Sequence, residues 1–114
     1  MFLRITFKSS KFAKAANSES EGNRQWGARA AKVRQRLLEL SAANSLADVS
    51  RLPPPRCHQL QQNLDERFAV DISANERLIF EIDHQPMPRK KDGGIDLTKV
   101  TAIVVLKIED YHGQ

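Results

Sequence analysis

Cysteine is nearly absent: Cys57 is the single one in 114 residues. No internal disulfide can form, which agrees with a reducing compartment. No stretch approaches the roughly 18 consecutive apolar residues that a membrane span needs. The opening residues, Met1 to Phe7, lack the long apolar core of a secretory signal, so a cytoplasmic protein without membrane partners is expected. There is no Gly-rich phosphate loop and no Gly-x-Ser-x-Gly nucleophile turn. His58, His84, His112, Cys57 and Asp110 are metal ligands in kind. None of them shows the short paired spacing of a Cys-x-x-Cys or His-Glu-x-x-His site, so neither a metal nor another cofactor is expected. No internal repeat and no low-complexity tract is visible.

What remains suits one modest core. Apolar residues make up 40% of the chain, enough for a single small domain over residues 1–114. Lys and Arg outnumber Asp and Glu by 18 to 14, a net charge of +4. A basic balance favours anionic partners such as nucleic acid, the ribosome or an acidic protein.

Hydrophobic periodicity gives the outline. Leu3, Ile5 and Phe7 alternate with Arg4, Thr6 and Lys8, the period of a strand with one buried face. Ser9 or Ser10 can cap a short helix through Ala16. Polar residues from Asn17 to Gly22 read as a loop. From Asn23 to about Ala43, Trp26, Ala30, Val33, Leu37 and Leu40 recur at spacings of four and three, the stripe of one long helix. Arg29, Lys32 and Arg36 fall on another face, expected to be solvated or to dock a partner. Ser45-Leu46-Ala47-Asp48 has a helix-capping form, and Pro53-Pro54-Pro55 ends anything helical.

The remainder alternates as sheet. Strands are expected around Arg56-Cys57-His58-Gln59-Leu60, from Arg67 to Ile72, from Arg77 to Ile82, and from Val100 to Ile108. The last is apolar on both faces, as a central strand would be. A long polar loop, Asp83 to Lys99, carries Arg89-Lys90-Lys91 and the turn signal Asp92-Gly93-Gly94. The order predicts an α+β fold: a mainly antiparallel sheet with two N-terminal helices packed on one face.

The chemistry concentrates at two places. Glu109-Asp110-Tyr111-His112 sets a carboxylate, a phenol and an imidazole side by side. His58 is a second imidazole. Strand neighbours point to opposite faces, so if Cys57 faces the core, His58 faces away from it. Arg67 and Arg77 occupy that same outward face, whose rim the terminal Asp110, Tyr111 and His112 would have to reach. The divergence of strand neighbours also rules out a Cys57–His58 dyad. A base, a cation and an acid suffice for metal-free RNA cleavage. The bland alternatives are an ordinary strand histidine, a half-exposed strand arginine and a solvated terminus.

The helix segment Ala31-Lys32-Val33-Arg34-Gln35-Arg36-Leu37, the strands Arg56-Cys57-His58-Gln59-Leu60 and Arg77-Leu78-Ile79-Phe80, and the ending Ile108-Glu109-Asp110-Tyr111-His112 together resemble the RelE/ParE toxin superfamily, within it the HigB-like host-inhibition toxins. The resemblance implies a compact sheet with helices against one face. It also implies a type II toxin–antitoxin toxin that is a ribosome-dependent mRNA endonuclease and inhibits translation. Its implied partners are the ribosome, mRNA and a cognate helix-turn-helix, HigA-like antitoxin. By position, His58, Asp110, Tyr111 and His112 match the catalytic set, and Arg77 the phosphate-holding cation. The family's Lys-Gly-Asp-like segment is replaced here by Gln61-Gln62-Asn63, which shifts phosphate stabilisation to Arg77 or Arg67. The alternatives are a ParE-like gyrase inhibitor without enzymatic activity, or a decayed toxin that acts only as a binding partner.

Overall fold

The first strand, β1 (Arg4–Phe7), runs into Ser9, whose hydroxyl accepts the Phe12 N–H at 2.9 Å and so starts helix α1 (Ser10–Asn17). These positions, and all below, come from a computed structural model that describes residues 2–61 and 66–110. Ser18 caps a second helix, α2 (Glu19–Trp26), by accepting the Glu21 N–H at 3.3 Å. Glu19 and Glu21 sit in its first turn, where the helix dipole favours negative charge. Gly27 then adopts φ +59°, the left-handed region that favours glycine, and ends α2. A single 3-10 turn (Gly27–Arg29) leads into α3 (Ala30–Ala42).

Two expectations are corrected here. The polar stretch read as a loop contributes the first half of α2, because a serine followed by glutamate three residues later is a helix start. The single long helix is two, broken at Gly27. Its apolar stripe survives the break: Trp26, Ala30, Val33 and Leu40 are buried, and Leu37 packs against them half-buried.

The sheet has the order β1-β5-β4-β3-β2. Its other strands are β2 (His58–Gln59), β3 (Phe68–Asp71), β4 (Glu76–Ile82) and β5 (Ala102–Asp110). Three pairings are antiparallel, but β1 lies parallel to β5, with Arg4 opposite Ala102 and Phe7 opposite Val105. The sheet is therefore mixed. Alternation reports which face a residue takes and says nothing of the direction of its neighbour strand. The long apolar strand is indeed internal, clasped by β1 and β4. A bulge in β5 opposite Ile79 and Phe80 resets the alternation before Lys107.

One sheet face meets the helices. Val70, Leu78, Phe80, Ile103 and Val105 share a buried cluster with Phe12, Trp26, Val33 and Leu40. Each fully buried aliphatic or aromatic side chain stabilises by roughly 1.5–3 kcal/mol. Phe7 stacks on Phe12, with centroids 5.5 Å apart, and Phe12 meets Trp26 at a tilt, with centroids 5.2 Å apart, so the three rings tie β1 to α1 and α2. Arg36 does not lie on a solvated face. It is 3% exposed and reaches from α3 to the sheet, its Nε donating to the Asp71 carbonyl at 2.6 Å and its Nη1 to Glu39. Among the described residues, no helix is long and apolar enough to cross a membrane.

Candidate functional site

The short strand β2 is shaped by what precedes it. After Ser50 the chain turns through the three prolines and comes back on itself. Arg56 N–H donates to the Leu52 carbonyl at 3.0 Å, and Cys57 N–H to the Ser50 carbonyl at 2.8 Å. Arg56 completes the turn at φ +55°, an uncommon conformation for a residue with a Cβ. Its guanidinium is held across the sheet by Asp71, Nε to Oδ2 at 2.6 Å. Cys57 then enters the core and His58 turns outward, opposite Ala69, as the alternation required.

His58 lines a cleft of about 540 Å³ together with Arg51, Arg56, Gln59 and Gln61, over an apolar floor that includes Leu46 and Phe68. Its Nδ1 lies 2.7 Å from the Arg56 carbonyl. A carbonyl only accepts, so Nδ1 carries the proton, and in the neutral ring Nε2 is left as the acceptor. Among the described residues, Arg51 makes no ion pair. Burial pushes the Cys57 thiol up to about 11, against a smaller opposing pull from Arg51. Cys57 is therefore a thiol at neutral pH, not a nucleophile.

Arg67 and Arg77 stand on the same outward face as His58, and each is engaged by a carboxylate. Arg67 Nε donates to Glu81 at 3.2 Å, and Arg77 Nε to Glu109 at 3.0 Å. The hydrogen bonds from Arg77 hold the Glu109 carboxyl below the usual carboxylate range, with Lys107 adding to the effect. Between the two ion pairs, Ala69 and Ile79 are buried although they face away from the helices.

Asp110 and His58 do not meet. The register runs His58, Ala69, Ile79, Lys107 across four strands, which places β5 roughly 14 Å from β2. Asp110 is three residues further along, roughly 10 Å. It pairs with Glu76, whose alternation with Leu78 and Phe80 puts both on the helix side. Glu76 accordingly pairs with Arg29, next to α3. Tyr111 and His112 lie outside the described residues.

No family model, curated protein or solved structure matches this chain.

Arg51 and Arg56 did not emerge from periodicity as site residues. The proline run was the available signal: a rigid turn of that length can return Arg51 to the side of Cys57. His84, a ligand in kind, has a structural place. Its Nε2 accepts the Thr101 N–H at 2.9 Å and pins the long β4–β5 connection. That connection is a built hairpin, with Arg89 paired to Ile95 around the Asp92-Gly93-Gly94 turn and Arg89 donating to both oxygens of Glu66. Among the described residues, no three of His, Cys, Asp and Glu gather as metal ligands would.

Proposed function

We propose that this chain is a type II toxin of the RelE/ParE superfamily, in its HigB-like branch, and that it cleaves mRNA on the ribosome from the cleft around His58. The observation that carries the reading is that cleft: an imidazole fixed by its own backbone through Nδ1, with Arg51 and Arg56 beside it. RNA cleavage without a metal requires a base for the 2′-hydroxyl, positive charge at the crowded phosphorane, and an acid for the leaving 5′-oxygen. In its neutral form His58 offers Nε2 as the base, and Arg51, without an ion pair among the described residues, supplies a cation. Tyr111 and His112 are the candidates for the acid. Helices layered on one sheet face and the net positive charge also suit this reading. A cognate helix-turn-helix, HigA-like antitoxin would neutralise the toxin.

The test is purified protein added to ribosomes translating a defined message, with the cut sites mapped. Codon-phased cuts are expected, reduced at least about 100-fold by His58→Ala with circular dichroism unchanged. Undiminished cutting by a folded His58→Ala protein would remove the cleft from the mechanism. A binding-only toxin, ParE-like on gyrase or decayed, is favoured by a different observation: Arg67 and Arg77 are both matched by carboxylates. Inhibition of gyrase supercoiling without message cleavage would select it.

A further inference from the structure

β1 is an outer strand, and the way it bonds to β5 defines what it leaves open. Arg4 N–H donates to the Thr101 carbonyl at 2.8 Å and Lys8 N–H to the Val105 carbonyl at 2.9 Å. In a parallel ladder alternate residues turn their backbone groups to the same neighbour, so Arg4, Thr6 and Lys8 face β5. Leu3, Ile5 and Phe7 face the other way. Leu3 is met there: its N–H donates to the Ala43 carbonyl at 2.7 Å, just past the end of α3. Among the described residues, no backbone group beyond the ladder meets Ile5 or Phe7. An open edge of this kind is a template for another strand.

The side chains of the same two residues line a groove of about 350 Å³, completed chiefly by Ala16, Leu37, Leu38 and Arg34. Leu38 is 68% exposed, a large apolar residue left in water at its rim. Among the described residues, no carboxylate lines the groove. On the opposite face of β1, Arg4 and Thr6 are exposed, and Lys8 follows them. An added strand would therefore meet apolar surface on one side and positive charge on the other.

We infer that the β1 edge and its groove receive an extended segment of a partner protein, in which apolar residues alternate with acidic ones, as a sixth strand. The apolar residues would lie beside Ile5 and Phe7, and the acidic ones beside Arg4 and Lys8. A second copy of this chain is the poorer occupant. Antiparallel pairing of two β1 strands centred on Thr6 would set Arg4 against Lys8 of the other copy, and like charges directly opposite are destabilising. The inference does not depend on the nuclease reading, because it uses the far edge of the sheet from His58.

The full chain, labelled for amide hydrogen exchange, is titrated with a short end-blocked peptide alternating Val and Glu, and with its Val-Lys counterpart. The Glu peptide is expected to protect the Ile5 and Phe7 amides, leave Thr6 as it was, and bind at least tenfold more tightly than the Lys peptide. Ile5→Pro deletes an outward N–H, which an edge strand tolerates, and should abolish that binding. The double variant Arg4→Glu, Lys8→Glu keeps every backbone group and should reverse the peptide preference, so the idea stays testable even if Ile5→Pro does not fold. Equal binding of the two peptides, no protection of Ile5 and Phe7, or a dimer of the chain alone that protects those amides would overturn the inference.

Discussion

At the scale of single residues, Cys57 and His58 show how one peptide bond separates inert chemistry from available chemistry. Strand alternation buries the first, which contributes only to the wall of the cleft, and turns the second outward at its rim. Burial pushes the Cys57 thiol up to about 11, so almost no thiolate forms near neutral pH, and the thiolate is the reactive species. Folded protein at pH 8 should therefore react with iodoacetamide far more slowly than a free cysteine, and at the ordinary rate once unfolded in urea. Alkylation of the folded chain at the free-thiol rate would show that Cys57 is exposed to the cleft as an ionisable group. The sequence carried this division of roles, because alternation is strictly two-residue and local. It did not carry the roles of Arg51, Arg56 or Arg36. Those depend on a turn that returns the chain upon itself and on a helix lying against the sheet, contacts between residues as far apart as Arg36 and Asp71.

Among the elements, the tight contact between α1 and α2 turns on Gly22. Glycine in the middle of a helix costs about 1 kcal/mol relative to alanine, so Gly22→Ala would be expected to stabilise α2 if the helix stood alone. Here a Cβ at position 22 would lie 2.9 Å from the Ala15 carbonyl and 3.2 Å from the Trp26 ring. The carbonyl belongs to the neighbouring helix and cannot swing aside as a side chain can. Overpacking costs of about 1–3 kcal/mol are usual in such places. Gly22→Ala should thus lower the urea midpoint; a rise would show that the two helices separate easily. The same glycine explains part of what was hard to read. Asn17 to Gly22 is polar and ends in glycine, the composition of a loop, while Ser18 and Glu21 form the helix start that prevailed. Likewise the stripe from Trp26 to Leu40 predicted the buried face correctly but not the break, since Gly27 changes backbone direction without disturbing which residues are apolar. The earlier strands were legible by their period of two, and the last by a continuous apolar run that suits a central strand. Their order was not, since nothing in β1 states that its neighbour will be the last strand and not the next.

For the whole molecule, the notable property is where positive charge is cancelled and where it is not. On the outward sheet face, Arg56, Arg67 and Arg77 are each matched by a carboxylate from a neighbouring strand. Among the described residues, Lys11, Lys14 and Lys32 on the helices, Arg51 at the cleft, and Lys90 and Lys91 in the hairpin have no such partner. The net charge of +4 is thus presented mainly by the helix layer, the β1 edge with Arg4 and Lys8, the cleft rim and the hairpin, while the inner strands are held together by ion pairs. Those pairs should be visible in acid. The Glu109 carboxyl lies below its ordinary range because Arg77 donates to it, so the folded state holds its proton less tightly than the unfolded chain. The stabilisation is fully present above the ordinary glutamate range and is lost as pH falls through the lowered folded value. Both partners are partly solvated, at 22% and 33% side-chain exposure, so screening keeps the effect modest. Urea midpoints measured from pH 7 down to about pH 3 should fall more steeply for the wild type than for Glu109→Gln. The variant should begin lower at neutral pH, because Arg77 has lost its carboxylate, and the two curves should converge in acid, where both carry a neutral group at position 109. Parallel curves across the whole range would mean that the Arg77–Glu109 pair adds nothing to stability, and that Arg77 is available to an anionic ligand without loss to the fold.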